Sequence, residues 1–153
     1  MEAENNKAIA RAVMERAFNQ GDLSVIDEYM APNAVDHQEA PGTDFSSHLK
    51  HVVRALRAAF PDLHFEIHAM LAEGDIVAFH STMTGTHNGT LSVMPGQAIP
   101  PTGRSVAVQH MHFVQFSGGK GGDLWHLWDV PQMMRQLGLG AQAQPRNAIP
   151  SNS

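Results

Sequence analysis

Phe60-Pro61-Asp62-Leu63-His64-Phe65-Glu66-Ile67-His68 is where this chain changes its hydrophobic period. Before it, Leu49, Val52, Val53 and Leu56 recur at helical spacing, which predicts a helix from Asp44 to Ala59. Phe60-Pro61-Asp62 stops that helix. After it, Leu63, Phe65 and Ile67 alternate with His64, Glu66 and His68, the period of a half-buried strand. Reading upstream, Ile9, Val13 and Ala17 form one apolar row and Ala10, Met14 and Phe18 the next, so 3–18 reads as a helix. Gly21 ends it. Asp22 is placed to cap a short second helix through about Met30. Reading downstream, Glu73-Gly74-Asp75 is a hairpin turn and Ile76 to Thr86 a strand. A Gly- and Pro-rich loop covers 87–104. A third strand covers Arg104 to Phe116, Ser117 to Gly122 is a turn, and a fourth strand runs from Asp123 to about Asp129. A short helix then reaches Leu137, with Gly138 as its cap.

Helices followed by a strand meander predict an α+β fold. Three N-terminal helices would pack on a curved, mainly antiparallel sheet forming a cone-shaped barrel with an internal pocket. Residues 1–139 read as one domain, and 140–153, rich in Gln, Pro, Asn and Ser, as a mobile tail.

The 153 residues include fifteen acidic and ten basic side chains, a formal net charge of −5. No Lys/Arg cluster occurs, so nucleic acid is not an expected partner. No cysteine is present, which excludes disulfides, thiolate metal sites and a cysteine nucleophile. No apolar run approaches membrane-spanning length. Met1 to Lys7 lacks a basic stretch followed by an apolar one, so no secretory signal and a cytoplasmic location are expected. Ser117-Gly-Gly-Lys-Gly-Gly lacks phosphate-loop spacing, and no Gly-x-Ser-x-Gly elbow occurs.

Trp125-His126-Leu127-Trp128-Asp129 places a carboxylate at the end of a Trp-rich strand. Asp129-Val-Pro-Gln132 also matches a helix capping box. A capping bond lowers a carboxylate's pKa and apolar burial raises it, so the cap and the acid/base readings predict opposite shifts. Alternation puts Trp125, Leu127 and Asp129 on one face and Leu124, His126 and Trp128 on the other. If Asp129 enters the pocket, Trp125 lines it and His126 does not. His110-Met-His112 has the same-face spacing of a two-histidine metal site, but a third ligand would have to come from His80, His126 or elsewhere, so no metal is expected. His64 and His68 face away from the apolar side of their strand. His37 follows the second helix, where the chain can close over a pocket.

The ordered set Val35-Asp36-His37, Phe60-Pro61-Asp62-Leu63, Gly74-Asp75-x-Val77-Ala78, Thr84-Gly85-Thr86-His87-x-Gly89, Pro100-Pro101-Thr102-Gly103, Gly119-Lys120, Trp125-x-x-x-Asp129 and Gln136-Leu137-Gly138 resembles SnoaL-type polyketide cyclases over about residues 5–139. The resemblance implies a nuclear-transport-factor-2-like barrel, a homodimer or higher homo-oligomer, and intramolecular aldol closure without metal or cofactor. It makes Asp129 the acid/base. It sets Gln115 where relatives carry His or Arg, a residue able to hydrogen-bond substrate but not to supply a proton or charge.

The expected activity is therefore cofactor-independent acid/base chemistry on a carbonyl-bearing, apolar small molecule. Asp129 is the catalytic candidate; Gln115, His37, Trp125, His80, His112 and Phe113 are the substrate-binding candidates. The alternatives are a small-molecule binding protein, in which Asp129 bonds the backbone of the last helix, and a hydrolase or dehydratase. The last needs another buried carboxylate, for which Asp36, Glu39, Asp44 and Glu66 are available.

Overall fold

Four antiparallel strands follow one another in space as in sequence: β1 (His64–Glu73), β2 (Ile76–Thr86), β3 (Ser105–Ser117) and β4 (Lys120–Trp128). The computed structural model describes residues 1–93 and 96–139; the expected tail, 140–153, lies outside them. Helix α1 (Glu2–Val13) runs straight into a π-helical turn, Met14–Asn19. Two further helices, α2 (Ser24–Tyr29) and α3 (Phe45–Ala59), precede the sheet, and α4 (Val130–Gln136) follows it. Asp44 starts α3 by accepting a hydrogen bond from Ser47 N at 3.0 Å. No described helix is long and apolar enough to cross a membrane.

The expected closed cone is not what forms. Among the described residues no pairing joins β1 to β4, so the sheet is open. Four strands are too few to close around packed side chains. Helices cover the inner face instead, and Val13, Ala17, Ile26, Val53 and Leu56 meet Phe65, Val77, Phe79, Met83 and Val108 in one core.

Both ends of the β4 side are finished by other segments. After α2 the chain runs parallel to β4, with bridges from Met30 to Gly121 and Asp36 to Leu124. Ala31 N donates to Gly121 O at 2.7 Å, Leu124 N to Val35 O at 2.8 Å and His37 N to Leu124 O at 2.9 Å. A Cβ on Gly121 would stand 2.6 Å from Met30 Sδ, so any other residue here displaces the end of the Met30 side chain. Beyond Trp128, α4 takes over. Gln132 Oε1 accepts from Gln109 N at 3.1 Å, and Gln136 bonds both the N–H (2.8 Å) and the carbonyl (2.9 Å) of Ala107. These two side chains continue the ladder where β4 has ended and blunt the exposed edge of β3.

β4 begins three residues before the expected Asp123, because the turn is only Gly118-Gly119, both with positive φ. Gly121 and Gly122 carry no side chains from which alternation could be read.

Candidate active site

Between α3, the π-helical turn and the inner sheet face lies a cavity of about 120 Å³. Phe18, Leu49, Val52, Leu56 and Phe65 make its apolar walls. His110 and His112 of β3 and His126 and Trp128 of β4 face it from the sheet, and Asp36, Glu39 and His48 add polar groups from the helical side.

The sheet alternation places the histidines. Val106, Val108, His110, Val114 and Phe116 are the buried residues of β3, and His112 takes its turn among them. His112 pairs across with His126, and His110 with Trp128. The three imidazoles stack nearly parallel: His110 and His112 have centroids 5.8 Å apart, His112 and His126 5.9 Å. Phe79 stacks under His112 at 4.6 Å, and Phe65 meets His110 edge-on at 4.9 Å. Burial pushes the His110 pKa down to about 3, with His126 adding to the shift. Burial, then His110 and His126, hold His112 well below the usual histidine value. Both rings are therefore neutral near pH 7, and each offers one N–H and one lone pair. Nε2 of His110 and Nδ1 of His112 are buried with no partner. Buried polar atoms are normally paired, so each of these nitrogens keeps unused hydrogen-bonding capacity.

Asp36 is brought to His126 by its bridge to Leu124. One oxygen accepts from Gln38 N at 2.9 Å; the other lies 2.9 Å from His126 Nε2. Burial alone would raise the Asp36 pKa. The His126 hydrogen bond, the Gln38 N–H and the nearby His126 and His48 charges outweigh it and hold the carboxyl below its ordinary value. Gln38 also fixes His126 from the backbone, its Oε1 accepting from His126 N at 2.7 Å. When the His126 ring is neutral, donating Nε2–H to the carboxylate leaves its lone pair on Nδ1.

Of the seven catalytic and substrate-binding candidates of the sequence, only His112 lines this cavity. Asp129 is the N-cap of α4, its Oδ1 accepting from Gln132 N at 2.9 Å. The reciprocal half of a capping box is absent: Asp129 N donates to Gln109 O, and the Gln132 side chain is spent on β3. Trp125 stands on the outer face, as parity with Asp129 requires, with His37 stacked on it at 4.3 Å and 3°. His37 also lies 3.3 Å from Asp123. Gln115 occupies the register shift between β3 and β4 and donates to Asp75 Oδ2 at 3.1 Å. His80 bonds Gln109 on the outer face, and Phe113 is half exposed there. From the sequence, His48 and Trp128 have no site role; Asp36 and Glu39 stand only as carboxylates for a hydrolase or dehydratase, and His110 and His126 only as possible metal ligands. The parity of β4, set by buried Leu124, was the signal for His126 and Trp128. Nothing local brings Asp36 to His126: its position depends on a parallel bridge to a strand about ninety residues away.

Among the described residues one group of three could hold a metal ion. Donor atoms of Asp36, Glu39 and His48 lie within 4.8 Å of one another. In the structure they are joined in pairs instead, His48 to Glu39 at 3.0 Å and Asp36 to His126. The three stacked histidines do not converge in this way.

The sequence model of SnoaL-like polyketide cyclases matches residues 8–137. The chain belongs to that family. No curated protein matches the chain. Among solved structures, AclR from Streptomyces galilaeus, for which a hydroxylase activity has been suggested, is 28% identical with a TM-score of 0.73, over 89% of this chain and 82% of that one. IdmH from Streptomyces antibioticus, for which polyketide cyclase activity has been suggested, is also 28% identical with a TM-score of 0.72, over 87% and 98%. A SnoaL-like polyketide cyclase from Agrobacterium tumefaciens shares the fold at 21% identity and a TM-score of 0.68, over 87% and 98%. Two relatives at equal identity thus carry different suggested activities, so this SnoaL-like chain's reaction must be argued from its own cavity.

Proposed function

We propose that this SnoaL-like protein is a cofactor-independent cyclase-type enzyme acting on a carbonyl-bearing, apolar small molecule, with His126 as its acid/base. The observation that carries this reading is the Asp36–His126 hydrogen bond at the wall of a cavity that also presents the neutral imidazoles of His110 and His112 and, on the helical side, the Glu39–His48 pair. Nδ1 of His126 takes the proton from a carbon lying between two carbonyls, leaving an enolate. An N–H of His110 or His112 hydrogen-bonds the enolate oxygen. The enolate carbon attacks a second carbonyl of the same molecule, forming a C–C bond and an alkoxide. The His126 imidazolium returns its proton to that alkoxide, so the base is regenerated. Asp36 stays ionised, holds the ring's orientation and balances the transient positive charge, the role of the carboxylate behind a catalytic histidine.

The test is turnover of a panel of polyketide β-ketoesters. His126→Gln is expected to lower kcat/KM by about 10²–10⁴-fold, and Asp36→Asn to lower kcat more than it raises KM. Full turnover by both variants contradicts the assignment.

A second reading, a binding protein without chemistry, draws on Asp129. Its commitment to the α4 cap takes the carboxylate that the family resemblance makes the acid/base out of the cavity. It predicts that wild-type protein returns the same β-ketoesters unchanged. We also propose that a second copy covers the outer sheet face, where Leu71, Met111, Phe113, Trp125 and Leu127 are exposed together.

A further inference from the structure

A second, smaller void of about 60 Å³, the α1 chamber, lies beneath α1 and the π-helical turn. Its own walls include Ile9, Val13, Met14, Phe45, Phe79 and Phe116, all apolar. Phe18, Leu49, His112 and Leu124 line both this void and the histidine cavity. The two chambers therefore adjoin, with His112 the polar side chain common to both. Its Nδ1 is the buried nitrogen left without a partner.

Protein interiors are close-packed, and a void lined by methyl and phenyl groups stays dry and accepts apolar guests. The α1 chamber has no ionisable side chain except His112, which burial keeps neutral. A charged or strongly hydrated group has no partner there. The histidine chamber holds the hydrogen-bonding groups and the proposed base. A molecule with its reacting dicarbonyl beside His110, His112 and His126 would leave its adjoining apolar portion at the seam of the two chambers.

We propose that the α1 chamber is a subsite for the uncharged aliphatic tail of the substrate, so that the protein selects 3-oxoacyl compounds by the chain attached to the ketone. This inference rests on the reading of the histidine cavity as the substrate site. Phe18 stands on the wall between the chambers and sits on the π-helical turn, a local widening often found where a helix serves a site.

The test uses methyl 3-oxoalkanoates of increasing tail length, from methyl acetoacetate upward. Binding is read by fluorescence of Trp128 in a Trp125→Phe background, and proton abstraction by exchange of the C2 hydrogens into deuterium oxide. Affinity is expected to tighten by about fourfold per added methylene, then level off once the chamber is full. Val13→Phe narrows the chamber and brings the plateau to shorter tails. Ile9→Ala widens it and moves the plateau to longer ones, which keeps the proposal testable if the larger side chain prevents folding. Affinity that does not change with tail length, or a plateau at the same length in the folded variants, overturns the subsite. The acid/base reading fails separately: it falls if His126→Gln exchanges C2 hydrogens like wild type, whatever the tail dependence.

Discussion

At the scale of single residues, one step along β4 separates two accounts of this protein. Asp129 and Trp125 share one face; His126 and Trp128 share the other, and only the second pair side lines the cavity. Starting from the carboxylate rather than from Leu124 selects the outer face, and Gln115, Phe113 and His80 follow it outward. The capping role of Asp129 has a direct consequence. Asp129→Ala is expected to lower stability by about 1 kcal/mol in urea unfolding, while Asp129→Asn, a comparable cap, changes it by only a few tenths. The buried histidines set a pH dependence. The pKa of His110 is lowered from 6.5 to about 3 on folding, so between those values the unfolded chain binds more protons than the folded one. Stability is fully present above pH 6.5 and falls as the pH drops towards 3, by up to about 1.4 kcal/mol per pH unit for this group. His112, also lowered, adds in the same direction. Asp36 is lowered too; its contribution is present above the unfolded carboxyl value and is lost below it as the folded pKa is passed. Urea midpoints measured from pH 7.5 to 4 should decline in the wild type and decline less in His110→Gln.

At the scale of elements, most boundaries were legible because the hydrophobic period is local. The strand at 76–86 and the stop at Phe60 read directly, since alternation and helix termination involve near neighbours. Two features did not read. β4 starts inside a glycine run, and the 30–37 segment pairs in parallel with a strand far along the chain. That second pairing is what delivers Asp36, so the site was less legible than the fold. Several residues that carry the family resemblance turn out to be joints between elements. Asp62 accepts from Thr86 N and Oγ1 at 2.7 and 2.8 Å, tying the end of α3 to the end of β2. Gly89 lies so close to α3 that a Cβ would stand 1.9 Å from Ala58 O. Gly89→Ala is therefore expected to cost about 3 kcal/mol, because backbone rather than a flexible side chain must move; thermal unfolding with a midpoint within 1–2 °C of wild type (about 0.6 kcal/mol or less) would contradict this contact.

At the scale of the whole molecule, the two faces of the sheet divide the work. The inner face meets the helices and holds the cavity. The outer face carries Leu71 and Leu127 at 73% and 70% exposure, with Met111, Phe113 and Trp125 also exposed. Sedimentation is expected to give a dimer for the wild type and a monomer for Leu127→Glu, since a charge at a dry interface has no partner. A wild-type monomer at micromolar concentration would remove the proposed partner. Family membership supplies the frame in which such a cavity forms, and the reaction is decided by which side chains the sheet turns inward. The most direct measurement is C2 hydrogen exchange of a methyl 3-oxoalkanoate into deuterium oxide, compared between His126→Gln and Asp129→Asn. The account predicts that His126→Gln loses the protein-catalysed exchange and Asp129→Asn keeps it. Exchange kept by His126→Gln and lost in Asp129→Asn would return the acid/base role to the helix cap.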